Sequence, residues 1–314
     1  MKLSLLTRKQ FFYSLGALAA LPVGGNAGAA ETGQSKVLLV VAHPDDEYAF
    51  AATAYRISKE LHGTVDQVVI TNGEAGFRYS QLAEAVYGVD LTREQVGRSR
   101  LPEIRKRETL AAGRIMGVRR HWFLEQKDAR YTLDRDEALR IWDTQAITSF
   151  LTRLIAKEQY SYIFVLLPTA DTHGHHQAAA ELAMEAADRL PVELRPVVLG
   201  GDPAKANEPV RDFASAIPGS PVFRFDRRTA FGPNHSLSYQ IIVNWVIAEH
   251  KSQGLFQTDF NTHDEERFWI LSGGAGAIET TKSLFAELQP GRVAHDAPIV
   301  SEAGVGRIDT AGSR

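Results

Sequence analysis

The sequence predicts an α/β protein with a Rossmann-like, mostly parallel sheet, helices on both faces and a C-terminal elaboration. Continuous apolar, β-branched runs such as KVLLVVA are typical of strands that are buried on both faces. Segments with helical spacing of apolar residues alternate with these runs, which predicts parallel strands joined by helices. The 314 residues are 44% hydrophobic and 23% charged, proportions that exclude collagen-like and wholly disordered proteins.

The first five elements are predicted from apolar runs and from the residues at their boundaries. The run at 36–42 predicts the first strand, and helical spacing over 45–61 predicts a helix that ends before a His-Gly pair. The next apolar run, 65–71, is closed by Asn-Gly and predicts a second strand. Residues 102–116 predict a helix with a proline in its first turn and a glycine after its end. Residues 121–124 predict a short strand.

The same alternation continues in the next part of the chain. Residues 137–157 predict one long amphipathic helix, and the buried-strand run 162–167 is ended by a proline. Residues 177–190 predict a further helix, and 197–199 a further strand. We therefore expect a doubly wound core over about residues 35–200.

Beyond this core the pattern weakens. Residues 201–220 are rich in Gly, Pro, Ala and Asp and predict a long loop, followed by a strand at 221–225 and a helix at 237–252. The expected organisation is one domain over 30–290, with a less regular part at 201–290, and a poorly ordered tail over 291–314.

The first 29 residues are typical of an export signal. Residues 1–29 begin with three basic side chains, continue with an apolar run of about 14 residues and end in Ala27-Gly28-Ala29, a small-residue cleavage site. Such a run is too short for a membrane-spanning helix, which takes roughly 20 residues. The segment around Arg8 and Lys9 resembles a twin-arginine signal, and a buried N-terminal helix is the alternative. We expect a periplasmic or extracellular protein with no membrane span in the mature chain.

Charge and cysteine content exclude several classes of function. The chain has 35 basic and 38 acidic residues, a net charge of −3, so no basic excess is available to neutralise nucleic-acid phosphates. It contains no cysteine. Disulfide scaffolds, thiolate metal sites and cysteine nucleophiles are therefore excluded.

Polar residues follow directly after the first predicted strand. His43, Asp45 and Asp46 stand where ligands bind in open α/β sheets, outside the carboxyl ends of the strands. A dinucleotide site would place glycines here, but no glycine lies between Gly33 and Gly63. An imidazole and carboxylates favour a cation instead. The alternative is that the two aspartates only cap the following helix.

A second polar cluster follows the strand predicted at 162–167. Three of the ten histidines, His173, His175 and His176, lie within four residues there. Because both clusters occupy equivalent strand ends, we expect them to meet. Together they supply His and Asp ligands suited to Zn²⁺ in a three-ligand site with one open position.

These motifs resemble the PIG-L/LmbE-like family of zinc-dependent de-N-acetylases. The resemblance is carried by AHPDDE after a buried first strand and by HxxH about 130 residues later. Weaker pieces occur in the family's order: TNGEAG at 71–76, RKRETLAAGRIMGV at 105–118, the segment 123–128 and HKSQ at 250–253. The resemblance covers residues 36–253 and implies one Zn²⁺ ion per chain, with another divalent metal ion as the alternative.

The resemblance also implies roles for individual residues. The implied metal ligands are His43, Asp46 and His176. Asp45 corresponds to the general base, and His173 to the group that stabilises the oxyanion or protonates the leaving amine. The implied substrate contacts are Glu74, Arg105 and Asp128, with a turn, a surface ion pair and a loop as the respective alternatives.

The chain departs from the family pattern between the two histidines of HxxH. The family often has Pro-Asp there, whereas this chain has Gly174 and His175. His175 therefore has three candidate roles: it orients His176, faces solvent or competes as a ligand; we favour an indirect or solvent-facing role. Some relatives carry a tyrosine where this chain has Asp171, which is a candidate partner for a histidine N–H.

The predicted function is a zinc amidohydrolase that removes an acetyl or similar acyl group from an N-acylated amino sugar or glycoconjugate. The amino-sugar partner follows from the resemblance alone. One alternative is another metal-assisted hydrolase, such as a phosphoesterase, for which two metals about 3.5–4 Å apart would be typical. The other alternative is a non-catalytic carbohydrate-binding relative, and the presence of Asp45 argues against it. His250, late in the helix predicted at 237–252, is expected to be structural.

Overall fold

The computed structural model of the protein describes residues 34–256 and 260–289. The export signal predicted at 1–29 and the tail predicted at 291–314 lie outside these residues. Within the described ranges, no helix has both the length and the apolarity needed to cross a membrane.

A seven-stranded sheet forms the centre of the described chain. Its strand order is β3-β2-β1-β4-β5-β9-β6. The strands are β1 (Lys36–Val41), β2 (Thr64–Thr71), β3 (Val118–Gln126), β4 (Tyr162–Leu166), β5 (Val197–Ala204), β6 (Phe223–Asp226) and β9 (Glu265–Ser272). A separate two-stranded ladder consists of β7 (Ala230–Phe231) and β8 (Leu237–Ser238).

The pairing of the strands confirms the predicted fold class. Strands β1 to β5 are parallel, and β1 lies between β2 and β4. Strand β9 runs antiparallel to both β5 and β6, so the C-terminal part extends the same sheet. The sequence does not predict β9, because three charged residues begin the strand and leave only a short apolar run. All three are buried in the structure: Glu265, Glu266 and Arg267.

Eight α-helices surround the sheet in the described ranges. They are α1 (Ala51–Tyr55), α2 (Gln81–Tyr87), α3 (Glu94–Met116), α4 (Arg135–Ile141), α5 (Thr144–Glu158), α6 (Gly174–Asp188), α7 (Tyr239–Glu249) and α8 (Ala277–Leu288). The helix predicted over 45–61 is present as a 3₁₀ turn, α1 and a π turn. Helices α2 and α8 were not predicted.

Two predicted helices differ from the observed ones. Helix α3 begins at Glu94, so Pro102 lies inside the helix and not in its first turn. The helix predicted over 137–157 is broken between α4 and α5. The break follows from Asp143, whose side chain accepts the backbone N–H of Ala146 at 2.9 Å and so caps the start of α5.

The core has two layers, one on each face of the sheet. Val37, Leu39 and Val41 of β1 point into one layer with α1, α3, α7 and α8. Leu38 and Val40 point into the other with α4, α5 and α6. Each fully buried side chain of this kind stabilises the fold by about 1.5–3 kcal/mol. The continuous apolar run of β1 therefore reflects burial on both faces.

Strand β9 is tied to the helix that follows the first polar cluster. The buried carboxylate of Glu266 accepts the backbone N–H groups of Ala52 and Thr53, both at 2.9 Å. It also pairs with Nε of the fully buried Arg227 at 3.0 Å. Arg227 in turn donates to the carbonyl of Tyr48 at 2.7 Å. The C-terminal part of the chain therefore holds the segment next to the candidate site.

Candidate metal centre and active-site cavity

The two histidine-containing segments meet at the carboxyl ends of β1 and β4. These strands are neighbours, and the strand order reverses between them. Ligands of open α/β sheets bind at such a switch point. The topology therefore brings together His43 and Asp46 from one segment and His173, His175 and His176 from the other.

Three side chains form a compact set of donor atoms. Nδ1 of His43 lies 3.2 Å from Nε2 of His176 and 3.5 Å from Oδ2 of Asp46. Nε2 of His176 lies 3.1 Å from Oδ1 of Asp46. Tetrahedral zinc ligands at about 2.0–2.1 Å from the ion stand about 3.3 Å apart. The donor types and their separations therefore fit one zinc ion.

The donor set is held in place by neighbouring groups. The Asp46 carboxylate accepts the backbone N–H of His43 at 2.7 Å. Thr172 Oγ1 lies 3.2 Å from Nδ1 of His176, which leaves Nε2 directed at the set. Burial alone would raise the pKa of Asp46, but His176 and His43 hold it well below its usual range. The Asp46 carboxylate is therefore ionised, as a metal ligand must be.

Asp45 lies beside the donor set but outside it. Its backbone has φ 108°, which is unusual for a residue other than glycine and costs about 1–3 kcal/mol. Arg105 contacts its carboxylate at 3.0 Å and also donates to the carbonyls of Gly73 and Pro44. Burial raises the pKa of Asp45 to about 6, against the lowering effect of Arg105. A carboxylate with such a pKa is suited to accept a proton near neutral pH.

Glu47 connects Asp45 to the C-terminal part of the domain. Its buried carboxylate accepts the backbone N–H of Asp45 at 3.0 Å and lies 2.7 Å from Nε2 of His250. His250 is buried and follows the end of α7. Its expected structural role fits this contact. No role was predicted for Glu47 from the sequence, although its place in the AHPDDE motif was a signal.

His173 caps the start of α6 and faces the cavity. Its Nδ1 accepts the backbone N–H of His175 at 3.0 Å, which places the ring proton on Nε2. Burial, and the positive charge that neighbouring histidines can carry, lower the pKa of His173 far below its usual value. The ring is therefore neutral and presents an Nε2–H donor.

Of the three residues expected to contact a substrate, two line the cavity, and Glu74 does not. Arg105 and Asp128 line the cavity but are only 3% and 4% exposed. The alternative of a surface ion pair for Arg105 is therefore wrong. Glu74 accepts the backbone N–H of Asp128 at 3.1 Å, and Asp128 accepts that of Ala75 at 3.2 Å. Glu74 is not among the residues that line the cavity.

Two further sequence expectations are corrected. His175 is fully buried, so it does not face solvent. Asp171 is not seen to hold a histidine; its largely exposed carboxylate pairs with Arg211 at 3.0 Å. The hydroxyl of Thr172 contacts His176 instead. The sequence does not predict the role of Thr172, because a threonine in a loop is not typical of a metal site.

The donor set lies in a cavity of about 390 Å³. The lining includes Asp45, His173 and three aromatic residues, Tyr79, Tyr131 and Phe260. Tyr131 is 63% exposed, and its ring meets that of His173 edge-on at 4.9 Å. The cavity is therefore lined both by polar side chains of the candidate site and by aromatic rings.

A protein-family model matches part of the chain. The family model described as PIG-L, GlcNAc-PI de-N-acetylase, matches residues 38–187. Residues 38–187 therefore match a PIG-L family domain. The matched range includes both polar clusters and every residue of the donor set.

One curated relative is the probable N-acetyl-alpha-D-glucosaminyl L-malate deacetylase 2 of Bacillus cereus. It is 27% identical over 162 residues, which are 52% of this chain and 65% of the relative. The chain thus matches less than two thirds of the length of that relative.

Solved structures share the fold of the PIG-L domain. A conserved protein of Thermus thermophilus is similar with a TM-score of 0.50 at 17% identity, over 75% of this chain and 94% of that one. The 4-carboxy-2-hydroxymuconate hydratase GalB of Pseudomonas putida is similar with a TM-score of 0.51 at 13% identity. The similarity covers 76% of this chain and 96% of the hydratase chain. A fold shared with a hydratase does not select a reaction, because the activity depends on the residues of the site.

Proposed function

We propose that the protein is a zinc-dependent amidohydrolase that removes an acetyl or similar acyl group from an N-acylated amino sugar or glycoconjugate. The single observation that carries the proposal is the position of Asp45. It lies beside a three-donor set for zinc, has a pKa raised to about 6 and is not itself one of the donors. A protein that only bound metal or sugar would not need this carboxylate.

Each residue of the site would have its own role in the reaction. His43, Asp46 and His176 would hold the ion. A bound zinc ion supplies positive charge that polarises an acyl oxygen and lowers the pKa of water to about 7. Asp45 takes the proton from the attacking water as the new C–O bond forms. The proton then passes from Asp45 to the amide nitrogen, the C–N bond breaks, and the carboxylic acid and the free amine are released.

His173 and Arg105 support this reaction without taking part in proton removal. The Nε2–H of the neutral His173 ring is placed to donate to the oxyanion of the tetrahedral intermediate. Loss of one such donor typically costs about 10²–10³ in rate. Arg105 holds the Asp45 carboxylate through its contact at 3.0 Å.

The amino-sugar part of the proposal is supported by the relatives and by the cavity wall. The matched family model and the Bacillus cereus relative both carry names of de-N-acetylases of glucosamine compounds. In the cavity, the exposed ring of Tyr131 stands next to His173. Such a ring offers an apolar face for a sugar beside the donor that the oxyanion would need.

Acetate release from N-acetylglucosamine derivatives tests the proposal. The zinc-loaded wild type should release acetate, lose activity with a chelator and recover it when zinc is added. Asp45→Asn should keep zinc and lose turnover, whereas His43→Ala and His176→Ala should lose both. Glu279→Ala, at an exposed position on α8, is the matched carboxylate control and should behave as the wild type. Full activity in metal-free protein would refute the proposal.

We also propose that the chain is exported and cleaved after Ala29. The proposal rests on the basic start, apolar run and small residues of 1–29. N-terminal sequencing of protein from the periplasmic or culture fraction should begin at residue 30. Full-length protein confined to the cytoplasm would contradict it.

A further inference from the structure

His175 lies behind His43, on the side of that ring which faces away from the donor set. Its Nδ1 stands 3.0 Å from Nε2 of His43, whereas Nδ1 of His43 faces Asp46 and His176. His175 is fully buried, and the ring of Trp142 packs 5.1 Å from its own. His175 is absent from the lining of the cavity. It therefore acts on the donor set through His43 and not on a substrate.

The positions of the ring protons follow from this geometry. A histidine that binds a metal through one nitrogen carries its proton on the other, and that N–H is usually given an acceptor. Since Nδ1 of His43 faces the donor set, Nε2 carries the proton. Nδ1 of His175 stands 3.0 Å from that nitrogen, within hydrogen-bond distance. In the tautomer that carries its proton on Nε2, the His175 ring presents Nδ1 as an acceptor.

We propose that His175 is a positioning residue, which accepts the Nε2 proton of His43 and so fixes the tautomer whose Nδ1 points at Asp46 and His176. The inference rests on the proposed metal site, but it does not depend on the substrate. Without this acceptor, the N–H of His43 is buried without a partner, or the proton moves to the nitrogen that faces the ion. Loss of such a partner typically costs 10–100-fold in metal affinity.

A second metal ion is the competing interpretation of the same atoms. His43, His173 and His175 also bring three nitrogens within 4.8 Å of one another. Nε2 of His43 would then be a ligand and would have to lose its proton. The hydrogen bond is favoured because one ion in the first donor set leaves that nitrogen protonated. Its length of 3.0 Å is that of an ordinary hydrogen bond.

Zinc affinity in a matched series of variants tests the inference. Leucine and asparagine have nearly the same shape, and only asparagine offers an acceptor close to the position of Nδ1. The zinc Kd of the full chain is measured by competition with a chromophoric chelator, with circular dichroism as the check of folding. We expect His175→Leu to bind zinc 10–100-fold more weakly, and His175→Asn to stay within about threefold of the wild type. Trp142→Phe repacks the other side of His175 and should leave the affinity unchanged.

The results that would contradict the role of His175 can be told apart from one another. Wild-type affinity in His175→Leu would overturn the inference, and so would an asparagine variant as weak as the leucine variant. Two zinc ions per wild-type chain, with one lost in His175→Asn, would show that His175 is a ligand. If His175→Leu does not fold, His175→Gln, whose acceptor lies nearer the position of Nε2, takes its place and should bind more weakly than His175→Asn. Zinc binding without acetate release would refute the proposed function but not the role of His175.

Discussion

Removing the Glu266 carboxylate should destabilise the protein by about 5 kcal/mol. Glu266→Ala leaves the fully buried Arg227 without the carboxylate that lies 3.0 Å from its Nε. Breaking a buried ion pair from one side costs about 3–5 kcal/mol. Arg227 keeps the carbonyls of Tyr48 and His263, which favours the lower end of that range. The backbone N–H groups of Ala52 and Thr53 also lose their acceptor, at about 1 kcal/mol each.

Urea unfolding of the metal-free protein measures this effect, because a bound ion would add stability of its own. Glu266→Gln keeps only one oxygen, whereas the N–H groups of Ala52 and Thr53 bind different oxygens of the carboxylate. It should therefore lose about 4 kcal/mol, about 3 for the charge and about 1 for the N–H group left without an acceptor. Glu279→Ala removes a carboxylate from an exposed pair with Lys282 and should change the stability by less than about 0.5 kcal/mol. A loss below about 2 kcal/mol in Glu266→Ala, with an unchanged m value, would refute the reasoning.

Two further predictions concern the cavity. Arg105→Met should lower kcat/KM about 100-fold while zinc stays bound, because the Asp45 carboxylate loses the contact that fixes it. Steady-state kinetics, with the zinc content measured alongside, check this prediction. An unchanged kcat/KM would contradict it. Tyr131→Ala should raise KM for an N-acetylated sugar about 10-fold and leave kcat within about threefold, since the exposed ring offers binding surface only. A fall in kcat with unchanged KM would mean that Tyr131 acts through its neighbour His173 instead.

The sequence predicts the fold best where a strand is buried on both faces. The runs at β1, β2 and β4 are continuously apolar, because helices cover the sheet on either side, and their limits agree with the structure within about one residue. Strand β9 is also buried, but three of its eight residues are charged. Those charges are satisfied by partners far away in the chain, such as Arg227 for Glu266. A local pattern contains no such information.

In the candidate site too, the sequence predicts the residues next to buried strands but not their contacts with distant parts of the chain. His43 and Asp46 stand directly after β1, and His176 lies at the start of α6, the helix that follows β4. Strand prediction together with residue type was therefore enough to bring them together. The neighbours that orient them were not predictable, because each contact depends on a side-chain direction. Thr172 contacts His176, and Glu47 contacts His250 some 200 residues away. The burial of His175 depends on the position of Trp142, which only the fold determines.

Zinc-edge anomalous diffraction from zinc-loaded crystals tests the account most directly. We expect one peak per chain, about 2.0–2.2 Å from Nδ1 of His43, an Asp46 carboxylate oxygen and Nε2 of His176. The Asp45 carboxylate should lie beside the ion without binding it. A peak bound by Asp45, or a single peak among His43, His173 and His175, would contradict the assignment of ligands and base.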